Sequence, residues 1–97
     1  MFRHVVLFKW SEEAGEPVRA AAVSALRHWA VVAAEFGSVT VGTDAALREG
    51  NHDVAVVADF PDREAYLRYT ADERHLAMVA EHITPNASSR AAVQHEL

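Results

Sequence analysis

The amino-acid sequence predicts an α+β fold: a four-stranded antiparallel sheet with helices packed against one of its faces. Three observations carry this. Strand-like and helical segments follow the order strand, helix, strand, strand, split helix, strand. The breakers Pro17, Gly37, Gly50, Pro61 and Pro85 fall at the joins between them. The first and third strands are apolar on both sides at their centres, the mark of inner strands buried on both faces.

Taken in order, Phe2 to Trp10 places Phe2, His4, Val6, Phe8 and Trp10 on one face and Arg3, Val5, Leu7 and Lys9 on the other. Ser11 to Gly15 is a polar loop. Pro17 suits a first helical turn, and Val18, Ala22, Leu26, Trp29, Ala33 and Phe36 recur as one apolar stripe. The spacing predicts a helix over Glu16 to Glu35, ended by Gly37. Ser38 to Ala46 reads as the second strand, with a bulge or bend at Gly42. Arg48 to Asn51 is a turn, and His52 to Phe60 is the third strand. Asp62 is the expected N-cap of a short helix carrying Tyr66 and Tyr69. Thr70-Ala71-Asp72-Glu73 has the spacing of a capping box, so a further helix is expected there. Its apolar stripe is Leu76, Val79, Ala80 and Ile83, with His75, Met78 and His82 on the adjacent flank. Pro85 ends it. Ser88 to Glu96 is the fourth strand, with Ala91 and Val93 inside it. The whole is the ferredoxin-like pattern βαββαβ.

Composition bounds the function. The chain of 97 residues reads as a single domain over 1–97, with a net charge of −5 and no Lys/Arg cluster. That argues against nucleic acid or an anionic membrane as partner. It contains no cysteine, hence no disulfide and no thiolate, which fits a cytoplasmic location. No apolar run approaches the ~20 residues of a membrane span, and the first residues do not form a signal peptide. Helices on one side leave the second apolar face of the sheet uncovered. The simplest cover is a second copy of the same sheet, giving a two-fold homodimer.

Three stretches carry a family resemblance. They are His4-Val5-Val6-Leu7-Phe8-Lys9-Trp10, then Asp53 to Phe60 with Asp62, then Tyr69 followed six residues later by His75. Ser89-Arg90 with Val93 is a weaker echo in the last strand. In this order the chain resembles the Dabb family, the stress-responsive dimeric α/β-barrel proteins. The resemblance implies two protomers packed sheet against sheet as a barrel. It also implies a pocket between helices and sheet, because one enzyme type in the family is a plant polyketide cyclase that closes a poly-β-keto chain without metal or cofactor. Its catalytic pair corresponds to Tyr69 and His75, and a pocket histidine to His4. The sequence departs from the family pattern at Asp72-Glu73-Arg74, where His-Pro-x is usual, and at Gln94-His95, where Asp-Tyr is frequent.

The residues themselves allow this chemistry. His75 titrates near neutrality and suits a general base, with Asp72 on the same helix as a candidate to hold its ring. Tyr69 is a donor for a developing oxyanion, or an amphipathic tyrosine closing a core edge. His4, among apolar neighbours, is a pocket group or a satisfied core histidine. Val6, Phe8, Trp29 and Val56 line a ligand pocket or fill it. His75 and His82 stand about 10 Å apart along a helix, too far to share a metal ion, so no metal and no cofactor are expected. The preferred expectation is a cofactor-independent cyclase-like enzyme acting on a small apolar carbonyl or polyketide compound by aldol-type ring closure. A non-catalytic ligand-binding stress protein is the alternative. Cofactor-free oxidation of an anthrone-like compound, with Trp29 and Tyr69 as pocket residues, is a further one.

Overall fold

Strand β1 (Phe2–Trp10) lies inside the sheet, as its two-sided apolar pattern requires. The structure, a computed structural model, describes residues 1–97. β1 pairs antiparallel with β3 (Val54–Phe60) on one side and β4 (Ala87–Glu96) on the other; β2 (Ser38–Thr43) flanks β3, giving the order β2-β3-β1-β4. Helix α1 (Glu16–Val32), continued by a 3-10 turn at Ala33–Glu35, crosses one face. Beside it run α2 (Arg63–Ala71) and α3 (Glu73–Met78), the latter extended by a π-helical turn at Val79–Ile83. The chain has the ferredoxin-like fold.

Alternation along β1 sorts its residues as expected. Phe2, His4, Val6 and Phe8 are buried beneath the helices, while Arg3, Val5 and Leu7 are half-buried on the opposite face. One core cluster joins Val6, Phe8, Val54 and Val56 to Ala22, Leu26 and Ile83. A second joins Ala58 and Phe60 to Trp29, Ala33, Ala65 and Tyr69. Phe8 and Phe60 are the largest fully buried side chains, each contributing roughly 2–3 kcal/mol by burial.

Several local expectations are corrected. Val18 is exposed, so the buried stripe of α1 starts at Ala22. Gly37 does not end the helix by a left-handed turn: the 3-10 turn does that, and Gly37 lets the chain pass close to Asp59 and Phe60. The pairing of β2 with β3 runs without a bulge at Gly42; the irregularity lies at Lys9/Trp10 in β1. β2 stops at Thr43 because the Asp44 carboxylate accepts from the Ala46 amide and turns the chain, with Ala46 at positive φ. β3 starts at Val54 rather than His52. The cap of α3 is Asp72, whose Oδ1 accepts from the Arg74 amide at 2.8 Å, while Thr70 sits inside α2. This moves the start of α3 by two residues and turns it. Leu76 and Ala80 are exposed, and the inward side is His75, Met78, Val79 and Ile83. Ala91 and Val93 register with Leu7 and Val5, so they share the face that no helix covers and are exposed there.

That face carries Val5, Leu7, Ala55 and Val57, with Val93 at 55% exposure. Arg3 grips Asp59 across it with two hydrogen bonds of 2.7 and 2.8 Å. The pair raises the arginine and lowers the carboxylate.

The close passage at Gly37 gives a direct test. A Cβ there would overlap the Asp59 carbonyl oxygen and lie 2.8 Å from Phe60 Cδ1. Gly37→Ala should cost ~1–3 kcal/mol, read from urea denaturation midpoints. At Gly42 a Cβ meets nothing within 4 Å, so Gly42→Ala should leave stability unchanged or raised.

Candidate functional site

Between sheet and helices lies a cavity of about 330 Å³. Val6, Phe8 and Val56 form its floor, Leu26, Met78 and Ile83 its apolar sides, and Tyr69, His75, His4 and Gln94 its polar end. Six of the sequence-derived candidates therefore meet: His4, Val6, Phe8, Val56, Tyr69 and His75. Two do not. Trp29 lies behind the cavity wall, 4% exposed, with its ring 5.5 Å from those of both Tyr69 and His75. Asp72 faces away: its carboxylate caps α3 and binds the Arg74 guanidinium, which also reaches Glu35. Arg74 holds that carboxyl well below the usual range. The position that sequence spacing offered as a support for His75 is instead the hinge between α2 and α3.

The hinge sets the geometry. α2 delivers Tyr69 in its last turn, and α3 delivers His75 in its first. The helix breaks at Asp72, whose backbone is extended, and the two rings lie 4.8 Å apart at a 41° tilt. Phe60 and Phe36 pack edge-on against Tyr69. The tyrosine is 2% exposed, and burial raises its pKa, opposed by the nearby Trp29 indole. That indole N–H comes close to the phenol without the alignment of a hydrogen bond and has no partner. The phenol is thus a neutral donor at ordinary pH.

His75 has its Nδ1 sealed in without a well-aligned hydrogen bond, the Thr70 backbone being near the ring, which leaves Nε2 as the reachable nitrogen. Burial lowers its pKa most; the Thr70 backbone and the Asp72 carboxylate pull it upward, Arg90 downward. The ring is therefore a neutral base at pH 7. His4 is pushed down to about 4, by burial first and then by His75 and Arg90. Its Nδ1 lies 2.9 Å from Gln94 Nε2. With the amide donating, Nδ1 accepts and Nε2 carries the proton. The site thus holds one neutral base and two neutral donors at the end of an apolar space.

Sequence reasoning missed Gln94, Arg90 and Thr70 in this lining. Gln94 faces His4, Ala92 faces Val6 and Arg90 faces Phe8 across the β1–β4 ladder. The alternation of β4 already groups these three, but only the register of the pairing assigns them to the cavity.

The profile of the stress responsive A/B barrel domain family matches residues 2–96. A dimeric ferredoxin-like protein of unknown function from Thermobifida fusca is 32% identical, superposes with a TM-score of 0.89, and aligns over 99% of this chain and 90% of its own. Two likenesses are of fold alone. A hydroxynitrile lyase from Passiflora edulis has 14% identity and a TM-score of 0.81 over 99% of this chain and 92% of its own. An antibiotic biosynthesis monooxygenase has 14% identity and a TM-score of 0.79 over 100% of this chain and 98% of its own. No curated protein matches significantly.

The buried imidazoles make stability depend on pH. Between the ordinary value of 6.5 and about 4, the unfolded chain takes up a proton at His4 that the folded chain refuses. Stability is full above 6.5 and is lost as pH falls toward 4, by on the order of 3 kcal/mol for this residue. His75 acts in the same sense. Denaturation midpoints measured from pH 7 to pH 4 should fall, less steeply in His4→Gln. The His4 ring resonance should titrate near 4, and a midpoint near 6.5 would contradict the assignment.

Proposed function

Since the chain belongs to the stress responsive A/B barrel domain family, we propose that its cavity binds a small carbonyl compound and moves a proton on it without a cofactor. The preferred reaction is aldol-type ring closure of a β-keto chain. The observation that carries this is one cavity, large enough for a small ligand, where Tyr69, His75 and His4 meet at the end of an apolar space.

The steps follow from the three groups. His75 Nε2 takes a proton from a carbon between two carbonyls, and negative charge develops on the enolate oxygen. The Tyr69 hydroxyl and the His4 Nε2–H donate to that oxygen, then to the attacked carbonyl as the carbon–carbon bond forms. The proton held by His75 returns to the new alkoxide, so the site ends as it began. Val6, Phe8 and Val56 fold the chain and exclude water, which strengthens each donor. A hydroxynitrile lyase and a monooxygenase share the fold. Lyase-like carbon–carbon chemistry is favoured over oxidation because Trp29, the aromatic expected to serve the latter, is packed behind the wall.

We also propose that two copies pair through the uncovered sheet face. Its support is the apolar surface of Val5, Leu7, Ala55, Val57 and Val93, and the description of the Thermobifida fusca relative as dimeric. A stable interface there should bury more than ~1,000 Å².

On a linear poly-β-keto thioester, His75→Ala should lower kcat by ~100-fold or more. Tyr69→Phe should lower kcat by ~10–100-fold with little change in KM. The acid limb of the rate profile should lie below the ordinary imidazole value of 6.5, because burial depresses His75. Wild-type rates in both variants would refute the Tyr–His assignment; binding without turnover by the wild-type chain would point to the non-catalytic reading. For the assembly, light scattering should give twice the chain mass, and Leu7→Asp should yield monomer or unfolded chain. A well-folded wild-type monomer at micromolar concentration would exclude the pairing.

A further inference from the structure

The cavity holds one permanent charge. Arg90 is its only lining Lys or Arg, and no Asp or Glu lines it. In a chain with 14 acidic and 9 basic residues, that sign is opposite to the molecule's own. Arg3, Arg63 and Arg74 each grip a carboxylate, and Arg19 donates to backbone carbonyls. The Arg90 guanidinium, like those of Arg27, Arg48 and Arg68, makes no such bond, and of these four only Arg90 lines the cavity, so its donors are free for a ligand there.

Register explains its place. Arg90, Ala92 and Gln94 lie on the helix-facing side of β4, opposite Phe8, Val6 and His4. The helices stop short of this edge strand, which is exposed from Ser88 to Glu96. The cavity therefore opens along β4, with Arg90 on its rim. From Arg90 to Gln94 the strand advances ~13 Å, enough to separate a ligand's head from its reacting end. The field of the guanidinium reaches both His4 and His75.

We infer that the ligand is a short apolar chain bearing a carboxylate. The carboxylate sits on the fork of Arg90, and the chain runs along Phe8, Val6 and Val56 toward Tyr69 and His75. A guanidinium offers two parallel donors to one carboxylate. A phosphoryl head, with more charge to satisfy, would find no second cation in this lining. The inference rests on the cavity being a ligand site, but not on the reaction assigned to Tyr69 and His75.

Octanoate and octanamide share a chain and differ in charge. Calorimetric titration into the full chain should show octanoate binding at least ~10-fold tighter. Arg90→Gln should remove that preference by weakening octanoate far more than octanamide. Its melting temperature should match wild type, since the side chain makes no contact that the fold needs. Raising KCl should weaken octanoate and not octanamide in the wild-type chain, a readout independent of any variant. Equal binding of the two probes, or a preference that survives Arg90→Gln, would overturn the carboxylate assignment and leave the cavity reading standing. If neither probe binds, the cavity reading falls and this inference falls with it.

Discussion

Strand β1 is apolar on two faces at once, and the rest of the molecule is arranged around that. Val6 and Phe8 look toward the helices; Val5 and Leu7 look away from them. Each face alone is too small to hold a chain of this length with a wide margin. The helix side is closed by α1 and the π-helical turn, which meet over Phe8, Val54 and Val56. His4, on the same face, is where closure is incomplete. It keeps company with Tyr66 and Gln94 rather than with aliphatic residues. The cavity exists because the helix layer covers the inner strands and not the edge.

The break at Asp72 does for the site what the alternation of β1 does for the core. A continuous helix would place residues 69 and 75 about 9 Å apart along its axis and on different sides of it. The cap interrupts the ladder, so Tyr69 and His75 turn their rings on one another instead. Arg74 fastens the break by holding Asp72 and Glu35 together, tying the start of α3 to the end of the first helical segment. Acidic residues thus hold the hinge, and leave the cavity free of negative charge.

Much of this was legible from residue order. β1 has the expected bounds, as does the Asp62 cap, because alternation and capping are local signals. The errors cluster where a tertiary contact outranks a local pattern. Thr70 and Asp72 are both good caps by type, and the choice between them rotated α3 enough to exchange Leu76 for His75 on its inward side. Gly37 looked like a helix terminator because glycines often are, while its reason is the approach of Asp59. In the site, the Tyr69 and His75 spacing was readable from family likeness. Arg90 and Gln94 were not, since an edge strand with few apolar residues carries no sign of its register.

The ion pair of Arg3 with Asp59 gives the uncovered sheet face a property that its apolar residues lack. Aliphatic surface is tolerant: it slides, and accepts many partners of roughly the right shape. Two opposite charges fixed at one point cancel in sum, so a surface that covers them strands no net charge. A surface displaced by a residue or so would press methyl groups onto ionised atoms and forfeit their hydration. The face thus joins a broad apolar surface to one fixed pair of charges, and is particular about how anything laid on it is seated.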